Sequence, residues 1–232
     1  RTPYGPRPAE EVVRFTREIV EYLLQFNPKM IVIACNTATA VALDDIRERV
    51  AIPVVGVIHP GARAAIKMTR TRSVGVIGTE GTIRSRAYEL ALKRISPQIK
   101  VHSLACPLLV PLVERGLFDT EEVYEVVYRS LHPLLDKEID CLILGCTHYP
   151  FLAPVIQSVM GKHITLISSA DETAREVSTI LYHRSALASS RELPVHQFFC
   201  SGDPALFQQI ALMWLNDRIK VSPVVWQVPT IL

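Results

Sequence analysis

The sequence predicts an α/β protein with parallel sheets, arranged as two similar lobes. Short apolar runs alternate along the chain with longer segments of helical periodicity. The runs are continuously apolar, which is the mark of strands covered on both faces. One pattern also occurs twice. Ile31–Thr37 (IVIACNT) and Leu142–His148 (LILGCTH) each lead a strand straight into a cysteine followed by small polar residues. The two copies lie about one domain length apart, which implies two similar lobes.

Taken in order, Pro8–Phe26 reads as a helix. Pro8 suits a first turn, and Glu10 and Glu11 complement the positive end of the dipole. Val12, Phe15, Ile19, Tyr22, Leu23 and Phe26 recur at spacings of three or four and predict its buried face. Asn27 and Pro28 end it. The strand Met30–Cys35 follows, with Ile31 to Ala34 buried, and then the helix Ala38–Val50. Pro53–Ile58 is a second strand, Gly61–Met68 a short helix and Ser73–Gly78 a third strand. After the corner Thr79–Thr82 a helix runs to about Ile95.

Ile99–Leu104 is a strand, and Cys106–Gly116 a loop with a short helical piece. Asp119 then caps a long helix, with Glu122 three residues on, and Val123, Val126, Val127, Leu131, Leu134 and Leu135 form its core face. Cys141–Gly145 is a strand, Phe151–Met160 a helix, Ile164–Ile167 a strand and Ala170–Ala186 a helix. Ser185–Glu192 is the most polar linker. Val195–Cys200 is a strand, Pro204–Leu215 a helix and Val224–Val228 a final strand. The chain opens at Arg1, and RTPYGPRPAEE reads as a loop entering a helix. Since an α/β domain usually begins with a strand, an upstream segment is expected.

Composition narrows the function. The chain has 232 residues, 49% hydrophobic and 21% charged, enough for a sizeable core. Its net charge of +2 is spread without a basic stripe, which argues against nucleic acid. The longest span free of Asp, Glu, Lys and Arg, Cys141–Gly161, holds Thr147, His148 and Gln157 and is broken by Pro150 and Pro154, so a membrane span is not expected. No signal peptide is visible. Five cysteines, without CxxC or zinc spacing, fit free thiols in a reducing cytoplasm and no metal.

Cys106, Cys141 and Cys200 read as small buried hydrophobes. Cys35 and Cys146 differ, because each sits where a strand gives way to a helix N-terminus. Backbone N–H groups and the helix dipole there are expected to favour a thiolate and lower its pKa. Two equal thiols suit a disulfide couple, or the inversion of a carbon centre, where one group removes a proton and its twin returns one to the other face. For inversion the sulfurs stand roughly 7 Å apart across the substrate, too far for a disulfide.

Five segments carry a resemblance. PYG (Pro3–Gly5), ACNTATA (Ala34–Ala40), GTEGTI (Gly78–Ile83), ACPLLVPLVERG (Ala105–Gly116) and GCTHYP (Gly145–Pro150) resemble the bacterial glutamate racemases over nearly the whole chain. The cysteine motifs alone are shared more loosely with aspartate racemases. The resemblance implies interconversion of L- and D-glutamate without pyridoxal phosphate or metal, supplying D-glutamate for peptidoglycan. It implies two flavodoxin-like lobes related by a pseudo-twofold axis, with the active site in their cleft. The first lobe would be residues 1–58 plus 168–232, and the second, inserted, 59–167. A homodimer is the common state of the family.

The resemblance also implies roles. Cys35 would take the α-proton from D-glutamate and Cys146 from L-glutamate. Asn36, Thr37 and Thr147 would hold the substrate's carboxylate and ammonium groups, Tyr4 and Gly5 a binding loop, and Thr79 and Thr82 the α-carboxylate region. His148 and Glu114 would tune the second cysteine. In that family the chain begins with a strand ending in an Asp-Ser-Gly type turn whose Asp assists the first cysteine. None precedes Arg1, so the chain taken alone is expected to have weak or no activity. Thr2 stands where the family often has Cys.

Plainer readings stand beside these. Thr79 and Thr82 equally suit helix caps, Asn36 a turn, His148 a packed histidine, Glu114 a solvated helix end and Tyr4 a frayed terminus. The rival functions are a racemase of aspartate or another acidic amino acid, a thiol redox switch, and a non-catalytic binding module.

Overall fold

A computed structural model describes residues 2–189, 193–215 and 218–225. The chain falls into two compact units, Pro3–Leu187 and a smaller one gathering Ala188–Leu232 with Arg1–Thr2.

The larger unit opens with α1 (Ala9–Leu24). Strands β1 (Ile31–Ile33) and β2 (Val54–Gly56) pair in parallel, Ile31 opposite Val54, and are joined through α2 (Asn36–Arg49). Val12 and Val20 of α1, Ile31 and Ile33 of β1, and Ala42 and Ile46 of α2 share one core. A polar clamp supports it: Arg17 Nε donates to Asp45 Oδ2 at 2.8 Å, and this hydrogen bond holds the Asp45 carboxyl down at about 2.

Then come α3 (Ile58–Met68), β3 (Ser73–Gly78), α4 (Glu80–Arg84), α5 (Ala87–Ile95) and β4 (Lys100–Ala105). They are followed by α6 (Leu109–Glu114), α7 (Glu121–Leu135), β5 (Cys141–Gly145), a 3-10 turn at Tyr149–Leu152, α8 (Ala153–Met160), β6 (Thr165–Ile167) and α9 (Ala170–His183). The sheet order is β4-β3-β5-β6, and every pairing is parallel. Counting only these strands along the chain, the order is second, first, third, fourth, the flavodoxin-like winding. The winding reverses between β3 and β5. In such sheets, ligand sites form at that switch point, beyond the carboxyl ends of the strands.

Side chains alternate across the sheet. Val74, Val76, Cys141 and Ile143 share a core with Ala62 and Ala65 of α3 and Ala91 and Leu92 of α5. Ile77, Leu142 and Leu144 face the other way and are equally buried. Each such side chain contributes about 1.5–3 kcal/mol relative to exposure. The smaller unit is a β-α-β element, β7 (Phe198–Cys200), α10 (Pro204–Leu215) and β8 (Val221–Pro223), with Phe198 opposite Val221 in a parallel pair. Among the described residues no helix is long and apolar enough to cross a membrane.

Several sequence expectations need correction. In α1 the buried positions are Val12, Phe15, Thr16 and Val20, while Ile19 and Phe26 are exposed, because the helix rotates its Thr16 edge inward and bonds the Thr16 hydroxyl to the Val12 carbonyl. β1 is not covered on both faces; Ile31 and Ile33 are buried but Val32 is 42% exposed. The short helix starts at Ile58, since Pro60 fits a first turn. The helix expected to run to Ile95 breaks at Arg86, which adopts a left-handed φ of 57°. There Ser85 Oγ donates to the Thr82 carbonyl and accepts from the Ala87 N–H, ending one helix and starting the next. Thr120, not Asp119, caps α7, its side chain accepting from the Val123 N–H. On that helix Leu135 is exposed. The last strand among the described residues is Val221–Pro223. Of the expected Val224–Val228, residues 226–228 lie outside the described ones, as do 190–192 of the polar linker.

Candidate active site

The site is built from the corners that follow β1, β3 and β5. Cys35 follows β1 and is the N-cap of α2; its Sγ accepts from the Ala38 N–H at 3.5 Å. Asn36 and Thr37 begin the helix and are buried. Thr79 follows β3 and caps α4, accepting from the Thr82 N–H at 3.3 Å. The cap reading of Thr79 therefore holds, and its hydroxyl does more.

Three hydroxyls form a triangle. Thr37 Oγ1 lies 2.8 Å from Thr79 Oγ1 and 3.2 Å from Thr82 Oγ1, and Thr79 and Thr82 are 3.1 Å apart. Each hydroxyl carries one proton and two lone pairs, so the ring can turn its protons toward an anion. The loop Pro3–Gly5 docks on this corner, where the Gly5 carbonyl accepts from the Gly81 N–H at 2.9 Å. A Cβ on Gly5 would lie 2.9 Å from Thr79 Cβ, so only glycine permits the approach. Tyr4 packs on Phe15 with ring centroids 6.1 Å apart, which holds the loop in place rather than frayed.

Cys146 follows β5, and its Sγ lies 3.7 Å from His148 Nδ1. His148 Nε2 in turn lies 3.3 Å from Glu114 Oε1, at the end of α6. Thr147 Oγ1 is 3.5 Å from the same Nδ1. Glu114 is exposed, as a solvated helix end would be, yet it also contacts the histidine beside Cys146. Burial lowers the His148 pKa below the ordinary imidazole value, and the Glu114 carboxylate opposes that fall.

The thiols depart from expectation. Burial raises the Cys35 pKa, against the N–H groups of Ala38 and Thr37 and the Thr37 hydroxyl, which favour the thiolate. Burial pushes Cys146 up to about 12, against the N–H groups of His148 and Tyr149, while the charges of Cys35 and Glu114 raise it further. The helix-start donors are present as predicted, but desolvation of the anion outweighs them. Cys106 and Cys141 are buried as read from sequence, whereas Cys200 is half-buried.

Two residues escaped sequence reasoning. Tyr88 on α5 is fully enclosed, and its hydroxyl donates to Asn36 Oδ1 at 2.7 Å. Ser169, at the N-cap of α9, lies close to the same hydroxyl: a Cβ on Gly61 would sit 3.2 Å from both Ser169 Cβ and the Tyr88 oxygen. No local signal marks either, since a tyrosine at an apolar helix position reads as core. Among the described residues no group of three or more His, Cys, Asp or Glu is placed to hold a metal ion.

An open α/β scaffold that sets a thiol at each of two strand ends, each beside helix-start donors, is the framework of an acid–base isomerase. The family described as Asp/Glu/Hydantoin racemase matches residues 1–177, and the chain belongs to it. It is 57% identical to the glutamate racemase of Bacillus cereus over 220 residues, 95% of this chain and 82% of that one. Its fold superposes on the glutamate racemase isoform RacE1 from Bacillus anthracis with a TM-score of 0.94 at 52% identity, covering 97% of this chain and 84% of the other. The glutamate racemase of Francisella tularensis in complex with D-glutamate gives 0.91 at 31% identity, with coverage of 97% and 84%.

Proposed function

We propose that this protein interconverts L- and D-glutamate by two-base proton transfer and supplies D-glutamate for peptidoglycan. The observation that carries the reading is the placement of a thiol at each of two strand ends beside the hydroxyl triangle: Cys35 lies two residues before Thr37, and Cys146 leaves the sheet next to Thr79 through the Gly78–Gly145 pair, with charge on Cys35 disfavouring charge on Cys146. When one is a thiolate the other keeps its proton. That singly ionised pair is the state inversion needs.

The substrate's ammonium favours ionisation of one thiol on entering the cleft. With D-glutamate, the Cys35 thiolate takes the α-proton, and the electron pair passes into the α-carboxylate. The Cys146 thiol then protonates the opposite face and becomes the thiolate. With L-glutamate the roles exchange. The Thr37, Thr79 and Thr82 hydroxyls serve as donors to the α-carboxylate as its charge grows. Asn36, Thr147, Tyr4 and Gly5 hold the substrate's other groups. His148, held by Glu114, tunes Cys146. No metal or organic cofactor takes part in this scheme. The reading extends to a cytoplasmic homodimer, with one lobe of residues 1–58 plus 168–232 and the other of 59–167.

The test follows the circular dichroism of D- and L-glutamate. The full-length protein, with whatever precedes Arg1, abolishes the signal of either enantiomer, and Cys35→Ala and Cys146→Ala each lower the rate by at least about 10²–10⁴-fold, the range of a positioned acid or base. Turnover of aspartate instead of glutamate overturns the substrate. Full activity in either alanine variant overturns the two-thiol mechanism.

A further inference from the structure

Tyr88 is the one fully buried tyrosine that touches both halves of the site. Its ring occupies a slot left open by two glycines. A Cβ on Gly61 would sit 3.2 Å from its hydroxyl oxygen, and a Cβ on Gly145 would sit 3.1 Å from its ring. Gly145 immediately precedes Cys146, and Asn36, which takes the hydroxyl's proton, immediately follows Cys35.

The hydrogen bond runs in one sense. Tyr88 donates to Asn36 Oδ1 at 2.7 Å. With its proton committed to Asn36, the Tyr88 oxygen is left as an acceptor, and Ser169 lies close by: a Cβ on Gly61 would sit 3.2 Å from both Ser169 Cβ and the Tyr88 oxygen. An amide whose oxygen is claimed in this way has one orientation left, with its NH₂ group directed away from Tyr88. Without the hydroxyl, the two ends of the carboxamide are nearly the same shape, and nothing from α5 chooses between them.

We infer that Tyr88 is a positioning residue: its hydroxyl fixes the Asn36 carboxamide so that it offers donors, not an acceptor, to an acidic substrate beside Cys35. This rests on the racemase reading of the site and adds to it a residue that touches no substrate. The slot is tight, since even a Cβ on Gly61 or Gly145 would press on the hydroxyl or the ring.

Tyr88→Phe keeps the ring in its slot and removes only the hydroxyl. The expected result is a KM for glutamate raised about tenfold in both directions, the scale of one lost buried hydrogen bond. The kcat stays within about threefold, because Asn36 binds groups that change little during proton transfer. In an Asn36→Ala background the same substitution changes KM by less than about twofold, since its target is gone. A merely structural role would lower thermal stability alike in both backgrounds and leave no such coupling. Should Tyr88→Phe fail to fold, Asn36→Asp replaces it: the carboxylate still accepts from Tyr88 but has no NH₂ to offer, so KM rises about tenfold or more, and an unchanged KM overturns the proposal. An unchanged KM, or additive effects with Asn36→Ala, overturns the proposal. A full-length parent protein silent toward both glutamate enantiomers overturns the racemase reading instead.

Discussion

Gly78 on β3 and Gly145 on β5 are register partners in a parallel pair, so Thr79 and Cys146 leave the sheet side by side. That single pairing brings a hydroxyl corner and a thiol corner to the switch point of the winding. It also leaves no room. A Cβ on Gly145 would lie 2.6 Å from the Ile77 carbonyl oxygen, which is backbone and cannot turn away.

Gly145→Ala is therefore expected to destabilise the fold by about 1–3 kcal/mol, as overpacking of a dense core does. For a chain of this size, that lowers the melting temperature by roughly 2–4 °C per kcal/mol. A thermal melt reads it directly. A melting temperature equal to that of the parent would mean that β3 and β5 do not approach as described.

Glu114 and His148 supply a second test. Burial holds the His148 pKa below its ordinary value, and the Glu114 carboxylate works against that by favouring the imidazolium. Glu114→Gln removes the opposing charge while keeping an oxygen near Nε2. The His148 pKa then falls further, so the ring stays neutral to lower pH. NMR titration of the imidazole measures this, and an unchanged or raised pKa would show that the 3.3 Å contact carries no charge coupling.

Where the sequence was legible, the reason is local. Cys141–Gly145 is a run of buried residues that can only be a central strand, and its predicted bounds match. The corners after it and after β1 were readable because a strand end followed by Cys and small polar residues has few other uses. The triangle of Thr37, Thr79 and Thr82 could not be derived from spacing alone, because it joins residues more than forty positions apart. The break at Arg86 was hidden for a different reason. No Gly or Pro marks it, and the side chain of Ser85 does the work instead. The thiol pKa values were misjudged in direction, because a sequence shows the donors at a helix start but not the depth of burial that outweighs them.

That burial has a consequence at alkaline pH. Cys106 and Cys146 are both pushed up to about 12 by burial, against an ordinary thiol value of 9.0. A group with a raised folded pKa gives its full stability below the unfolded value and loses it as pH climbs toward the folded one. Between about pH 9 and 12 the unfolded chain has released these protons while the folded chain keeps them. Stability then falls by about 1.4 kcal/mol per pH unit for each such thiol. Above pH 10 the enclosed hydroxyls of Tyr88 and Tyr149, also raised by burial, steepen the decline. Urea midpoints taken from pH 8 to 10.5 measure the slope. Cys106→Ala, outside the active site, lowers stability at pH 8 through its cavity but makes the alkaline slope shallower by one thiol's share. The cavity cost is the same at every pH whereas the thiol's share grows with pH, so a variant that is weaker by the same amount at every pH would show that the Cys106 thiol is not the buried proton holder the fold makes it.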